Sequence, residues 1–220
     1  MSFTDELHSL SKKLWDRSKS HPFIKELVSG ELSEERFRYY LVQDTYYLKH
    51  FEHAHTLIID RTDDEKLKQI QRECRSGLNE AEIVIREDFL AYYDVSEAEV
   101  NQTQIAPTPY SYTSHIYRHI HEGSLLSALC SLLPCYWLYA EIGHEFVDAH
   151  SPHKMYQAFL ETYDSDGFNE TLNKQISLID ELATNASDTE LKEAKEAFLM
   201  SSEYELNFWE MAYTKDRWSF

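Results

Sequence analysis

The stretch that decides the fold spans residues 33–60 and reads SEERFRYYLVQDTYYLKHFEHAHTLIID. Apolar and aromatic side chains recur in it every three or four positions, the spacing that places them on one face of an α-helix. That face consists of Phe37, Tyr40, Leu41, Asp44, Tyr47, Leu48, Phe51, Ala54 and Ile58. A serine followed by two glutamates supplies a start signal. The pattern predicts a long helix that buries one aromatic face.

The same periodicity continues through the chain. It recurs at 64–93 and 188–213, and sequences of capping-box form begin at Thr62, Ser96 and Ser187. Further helices are predicted over 3–18, 22–29, 110–122, 124–149, 153–161 and 168–184. Almost the whole chain is therefore predicted to be helical.

Composition agrees with that prediction. The 220 residues include only 5 Gly and 5 Pro, and no alternating strand pattern competes with the helices. Ser151–Pro152 is interpreted as a helix start, and 100–109 as the clearest loop. No linker or repeat divides the chain, so the sequence predicts an all-α fold in which 1–220 form a single helical-bundle domain.

Charge and cysteine content limit the partners and the location. A formal net charge of −18 repels phosphate backbones, which argues against nucleic-acid binding. No apolar run reaches the roughly 18 residues of a membrane span, and the N-terminus lacks the pattern of a secretory signal. Cys74, Cys130 and Cys135 match no disulfide or metal pattern, so we expect reduced thiols in a cytoplasmic protein.

Two predicted inward faces carry carboxylates, Asp44 and Glu205. Inward acids are rare, because removing a charge from water costs several kcal/mol, roughly, unless partners compensate. Each could be a buried polar contact that fixes helix register. Two such residues in one small domain favour a functional site instead.

The segment 132–139, LLPCYWLY, places Pro134 next to Cys135. Proline lacks the N–H that a helix interior requires, so we expect a helix interruption that opens space beside the thiol. Tyr139 lies one turn further on the same face. A thiol beside aromatic rings is a candidate nucleophile if a nearby carboxyl manages protons, whereas the other two cysteines are expected to be core residues.

Aromatic residues complete a predicted pocket. Tyr47 lies one turn from Asp44, and Phe208 one turn from Glu205. Tyr112 begins a helix after the predicted loop, and Tyr163 is expected on another loop. Together with the carboxylates and the thiol, these rings suit a flat, nitrogen-rich ligand.

A metal site is the alternative. Glu52–His55 and Glu141–His144 both have the form E-x-x-H on separate predicted helices. Di-iron bundles combine two such motifs with further glutamates, which Glu80, Glu82 or Glu205 could supply here. A di-iron carboxylate oxidase therefore stays open at this point.

The stretches that contain these residues resemble a known protein family. The sequence resembles the TenA family, thiaminase II (aminopyrimidine aminohydrolase), over nearly its whole length. The matching stretches are HPF at 21–23, RFRYYLVQDTYYLKHF at 36–51, PTPYSYTSHIYR at 107–118, LLPCYWLYAEIG at 132–143, ETYDSDGF at 161–168 and SSEYELNFWEMAY at 201–213. The resemblance implies a haem-oxygenase-like helical bundle that binds no haem, needs no metal or other cofactor, and forms a homotetramer.

The resemblance also implies an activity in thiamin salvage. 4-Amino-5-aminomethyl-2-methylpyrimidine would be hydrolysed to the 5-hydroxymethyl pyrimidine and ammonia, and thiamin would be cleaved at the same carbon. It implies a nucleophile at Cys135, a proton-handling carboxyl at Glu205 and a ring-binding carboxylate at Asp44. Its other pocket residues correspond here to the stacking rings Tyr47 and Tyr163 and the walls Tyr112, Tyr139 and Phe208. A pyrimidine-binding regulatory protein without turnover is the second alternative.

Overall fold

The computed structural model of the protein describes residues 1–78 and 84–220. Within these residues the chain forms α-helices, one short 3₁₀ turn and no strand. The α-helices are α1 Phe3–Lys19, α2 Pro22–Ser29, α3 Glu34–Asp60, α4 Glu65–Gly77, α5 Val84–Tyr92, α6 Glu97–Gln102, α7 Pro107–Glu122, α8 Leu125–Phe146, α9 Lys154–Tyr163, α10 Asp166–Ala183 and α11 Asp188–Thr214. The predicted all-α fold class is confirmed.

Helix α8 lies at the centre of the bundle. It packs most extensively against α11, and also against α10, α7 and α9. By length and mean hydropathy Leu125–Ala149 could span a membrane, although no unbroken apolar run is that long, and 83% of its most apolar window is buried inside the fold. Helices that are apolar on every side occur in the cores of larger proteins as well as in membranes, so the burial accounts for this composition.

Helix α3 presents the face that the sequence predicts. All the residues of that face are buried, from Phe37 to Ile58, and the helix packs against α4 and α7. The Ser33 side chain accepts a hydrogen bond from the Arg36 N–H, which gives α3 the predicted start.

Helices α1 and α11 are joined by two buried indole hydrogen bonds of opposite direction. Trp15 in α1 donates to Ser202 in α11 over 3.1 Å. Trp209 in α11 donates to Ser18 in α1, also over 3.1 Å. Buried tryptophans need a partner for the indole N–H, and here each helix supplies the acceptor for the other.

Some predicted helix starts are wrong. Helix α4 is capped by Asp64 rather than Thr62. Helix α9 begins at Lys154 rather than at Ser151–Pro152, because the Ser151 hydroxyl donates instead to a carbonyl of α2. Side-chain caps compete with other acceptors, and tertiary contacts decide between them.

The predicted loop 100–109 is also too long, since α6 and α7 leave only residues 103–106 between them. The single helix predicted over 64–93 corresponds to α4 and α5, and residues 79–83 of it lie outside the described residues.

Tyr163 was expected on a loop, but it is the last residue of α9. Gly143 of α8 explains how closely the two helices approach. A Cβ atom at Gly143 would lie 2.7 Å from the carbonyl carbon of Tyr163. The absence of a side chain at this position therefore sets the distance between α8 and the end of α9.

Gly143→Ala should force α8 and α9 apart and lower the free energy of unfolding by about 1–3 kcal/mol. Gly167→Ala is the matched control, because no atom lies within 4 Å of a Cβ atom there. That control should raise the free energy of unfolding by about 0.4–1 kcal/mol, because alanine reduces the conformational entropy of the unfolded chain. Denaturant unfolding of both variants is the measurement, and equal values for the two would contradict the close approach.

Candidate active site

Pro134 and Cys135 lie inside an unbroken α8. The predicted helix interruption is therefore wrong. Proline removes the hydrogen bond that position 134 would give to the carbonyl of Cys130, but packing on all sides of α8 holds the helix together. Cys135 is 8% exposed and belongs to the core. Burial in the bundle, rather than a kink, sets the surroundings of this thiol.

Glu205 faces the same interior from α11. It is 2% exposed, and the Tyr112 hydroxyl of α7 donates a hydrogen bond of 2.8 Å to its Oε1. The Tyr112 ring is stacked on Tyr204, with 5.2 Å between ring centroids. The Tyr112 ring also lies 4.9 Å from that of Tyr47 on α3. Three helices thus meet around this carboxyl.

Electrostatics show that the thiol and the carboxyl face the same place. Burial raises the pKa of both Tyr47 and Tyr112 well above its usual value. Cys135 and Glu205, when ionised, each raise the pKa of both tyrosines further. A charged group shifts the pKa of a hydroxyl to this extent only when the two groups lie close together. Cys135 and Glu205 therefore border one buried, tyrosine-lined site.

Asp44 has a protein partner that the sequence analysis missed. It is 3% exposed and forms a buried ion pair with Arg86 of α5. Burial raises the pKa of Asp44 to about 6, and Arg86 opposes that rise. Arg86 lies three positions before Phe89 of the predicted apolar face. A basic residue beside that apolar face was the sequence signal that could have predicted a buried partner for Asp44.

The predicted aromatic residues form a continuous series of contacts. Ring centroids are 5.6 Å apart for Tyr47 and Phe208, and 4.8 Å apart for Tyr139 and Tyr163. Tyr40 joins the two pairs, since its ring lies 5.9 Å from Phe208 and its hydroxyl 3.3 Å from that of Tyr139. The structure thus brings together all of the predicted aromatic residues, and adds Tyr40.

The three cysteines differ in their surroundings, and none forms a disulfide. Burial raises the pKa of Cys74 to about 12 and also raises that of Cys130. Thiols held protonated in this way are poor nucleophiles. The expectation that these two are core residues is confirmed by their burial.

The side chains of the E-x-x-H motifs have other partners. His55 is fully buried, and its two ring nitrogens bond to Gln71 and Tyr136. Glu141 forms an ion pair with Lys19 at the edge of the bundle. The two motifs therefore do not converge as a di-iron site requires.

No group of three or more His, Cys, Asp or Glu among the described residues has the arrangement to hold a metal ion. Glu80 and Glu82, which could have joined a di-iron site, lie outside those residues. The described part of the chain thus gives the di-iron alternative no geometric support.

Fold and site define a class of all-helical protein with a buried, tyrosine-lined site that carries a thiol and a carboxyl. The chain belongs to the TENA/THI-4/PQQC family, which matches residues 8–215. It is 37% identical over 219 residues to the aminopyrimidine aminohydrolase of Bacillus subtilis, covering 100% of this chain and 93% of that protein. It is 28% identical over 223 residues to the aminopyrimidine aminohydrolase of Halalkalibacterium halodurans, covering 100% and 99%.

Solved structures agree on the fold. The TenA homologue from P. horikoshii superposes with a TM-score of 0.86 at 26% identity, covering 97% of this chain and 99% of that one. Heme oxygenase from the cyanobacterium Synechocystis superposes with a TM-score of 0.67 at 14% identity, covering 98% and 94%. The second likeness concerns the fold alone, and it confirms the predicted haem-oxygenase-like bundle.

The raised pKa of Asp44 predicts a specific pH dependence of stability. The folded protein holds this proton more tightly than the unfolded chain, whose carboxyl has the ordinary value of 3.8. The stability from Asp44 is therefore fully present below about pH 4 and is lost as the pH rises through about 6. Asp44→Asn removes this loss. We therefore compare the free energy of unfolding of Asp44→Asn with that of the unmodified protein at each pH. The variant's value minus the unmodified value should increase by roughly 3 kcal/mol between about pH 4 and about pH 7.

Urea unfolding at several pH values measures that difference. The exposed Asp88 provides a control, because Asp88→Asn should give a curve parallel to that of the unmodified protein. A constant difference for Asp44→Asn would mean that Asp44 titrates in the folded protein as it does in the unfolded chain.

Proposed function

We propose that this protein is a thiamin-salvage hydrolase. It converts 4-amino-5-aminomethyl-2-methylpyrimidine and water to the 5-hydroxymethyl pyrimidine and ammonia, and cleaves thiamin at the same methylene carbon to release the thiazole alcohol. Support comes from the family membership and from full-length relatives named aminopyrimidine aminohydrolase.

The observation that carries the proposal is the shared position of Cys135 and Glu205. Both groups, when ionised, raise the pKa of Tyr47 and of Tyr112, which supports placing the proposed nucleophile and the proposed proton-handling group at one buried site. The aromatic series around them provides flat faces on which a pyrimidine ring can stack.

A thiol nucleophile avoids the slow direct displacement that this reaction would otherwise require. The leaving amine sits on a carbon attached to an aromatic ring, where direct displacement is slow. In the proposed mechanism the Cys135 sulfur forms a bond to an electrophilic ring carbon, and the displaced π electrons move to a ring nitrogen. Those electrons then return to form a double bond to the methylene carbon as the C–N bond of the amine, protonated as an ammonium group, breaks and ammonia leaves. Water adds to that carbon and loses a proton to the base, and the sulfur leaves as a thiolate to restore the aromatic ring.

Glu205 is proposed to donate and accept the protons in this scheme. A proton goes to the ring nitrogen as sulfur adds, and a base takes it back when the sulfur leaves. The hydrogen bond from Tyr112 holds the carboxyl in position. Asp44, already placed by Arg86, is proposed to accept hydrogen bonds from the amino group of the pyrimidine.

The remaining expectations are proposed in the same way. We propose one domain over 1–220, a homotetramer in a cytoplasmic location, and no nucleic-acid or membrane partner. The net charge of −18 and the burial of α8 support the last point. Sedimentation velocity of the purified protein tests the tetramer directly.

Cys135→Ser should abolish ammonia release from the aminomethyl pyrimidine while pyrimidine binding persists, because a serine hydroxyl is far less ionised than a thiol near neutral pH. Ammonia release and calorimetric binding are measured side by side. Cys130→Ala is the control and should keep normal turnover, since that thiol is fully buried and lies near Asp180 of α10. Normal rates in Cys135→Ser would remove the thiol from the mechanism, and an inactive unmodified protein would refute the proposed function.

Glu205→Gln keeps the shape of the side chain and its hydrogen bond with Tyr112, but it cannot transfer a proton. We expect the turnover number to fall by roughly 10²–10⁴, the usual contribution of general acid–base catalysis. The Michaelis constant should change much less, because the aromatic contacts remain. Steady-state kinetics separates the two, and a normal turnover number with weakened binding would make Glu205 a ring-binding residue instead.

A further inference from the structure

A chain of buried side-chain hydrogen bonds runs through four helices next to the proposed site. The Tyr136 hydroxyl of α8 lies 2.9 Å from His55 Nε2 of α3. His55 Nδ1 lies 2.7 Å from Gln71 Oε1 of α4. Gln71 Nε2 donates to Gln175 Oε1 of α10 over 3.3 Å, and Gln175 Nε2 donates to Cys74 Sγ over 2.8 Å. All of these side chains are buried, so the chain forms no part of the surface.

The amide orientations of Gln71 and Gln175 assign a direction to every bond in this chain. Because the Gln71 amide nitrogen donates to Gln175, its oxygen faces His55 and accepts. His55 Nδ1 must therefore carry the hydrogen, which leaves Nε2 as an acceptor for the Tyr136 hydroxyl. Burial lowers the pKa of His55 to about 4, so the neutral ring persists at neutral pH. The far end of the chain thus fixes which way the Tyr136 hydroxyl points.

Tyr136 also connects the two rings proposed to stack on the pyrimidine. Its ring lies 5.4 Å from Phe51, which stacks on Tyr47 at 5.4 Å. On the other side it lies 5.9 Å from Phe168, which packs against Tyr163 at 5.2 Å. Tyr136 is thus the middle residue of a bridge of rings between the two.

This bridge closes the aromatic series of the site into a circuit. The members of the circuit, in order of contact, are Tyr47, Phe208, Tyr40, Tyr139, Tyr163, Phe168, Tyr136 and Phe51. Tyr136 directly follows the proposed nucleophile in α8. Rotation or displacement of this one ring would change the position of both stacking faces.

We propose that Tyr136 and His55 are positioning residues of the pyrimidine site. The hydrogen bond to His55 fixes the Tyr136 ring, and that ring holds Tyr47 and Tyr163 at the separation that one pyrimidine requires. The inference rests on the proposed function, because it assigns these residues to the same site. Neither residue touches the reacting atoms in this scheme.

Tyr136→Phe tests the inference by removing only the hydroxyl. The stacking faces contact substrate, product and transition state alike, so their displacement weakens all three to a similar degree. We expect the dissociation constant of the hydroxymethyl pyrimidine and the Michaelis constant of the aminomethyl pyrimidine each to rise about tenfold. The turnover number should stay within about threefold of the unmodified value.

Tyr156→Phe is the matched control. Tyr156 is also fully buried, and its hydroxyl donates a hydrogen bond of 2.8 Å to the Leu32 carbonyl, outside the circuit. Both variants should lose stability in denaturant unfolding, but only Tyr136→Phe should lose affinity. Equal affinity of the two variants would overturn the positioning role and leave the hydrogen-bond chain as a stabilising element alone.

Variants of His55 provide a second, independent check. His55→Leu removes the acceptor and should raise the dissociation constant as Tyr136→Phe does, and the double variant should be no worse than either single one. His55→Gln places an acceptor near the position of Nε2 and should restore most of the affinity. Additive effects in the double variant would contradict the inference. If the unmodified protein binds and hydrolyses the pyrimidine but the variants match it, the inference alone fails; if the unmodified protein does neither, the proposed function fails and the inference with it.

Discussion

The burial of α8 is the constraint on which the rest of the structure depends. This helix is apolar on nearly every side, and helices α7, α9, α10 and α11 pack around it. Its burial removes a large apolar area from water, the main favourable contribution to folding. The same packing keeps the helix continuous at Pro134, where a hydrogen bond is missing. Cys135 follows directly, so the nucleophile of the proposed mechanism lies inside the buried central helix of the bundle.

The two carboxyl groups inside this core each have a protein partner. Glu205 accepts a hydrogen bond from Tyr112, and Asp44 pairs with Arg86. The raised pKa of Asp44 shows that Arg86 does not fully offset the loss of hydration. Buried charges kept at such a cost are characteristic of functional sites rather than of stabilising contacts.

The surroundings of a thiol decide its chemistry. Cys74 and Cys130 are held protonated by burial, whereas Cys135 shares its surroundings with Glu205 and two tyrosines. The same argument separates the histidines of the E-x-x-H motifs from metal ligands. His55 is committed on both nitrogens to a hydrogen-bond chain, so the motif spacing in the sequence has a structural cause here rather than a metal-binding one.

The sequence by itself determined the helical fold, the buried face of α3, and the inward direction of Asp44 and Glu205, because helical periodicity is a local property that neighbours along the chain express. It also named the aromatic residues that the structure connects, through local spacing and through a family resemblance. Only the tertiary structure decided that Arg86 pairs with Asp44, that Tyr163 ends a helix, that α8 is unbroken, and that Tyr136 bonds to His55. Those outcomes depend on residues from distant parts of the chain and on the volume that packed helices leave to one another. Neither the contacts between distant residues nor the space between packed helices produces a periodic pattern in the sequence.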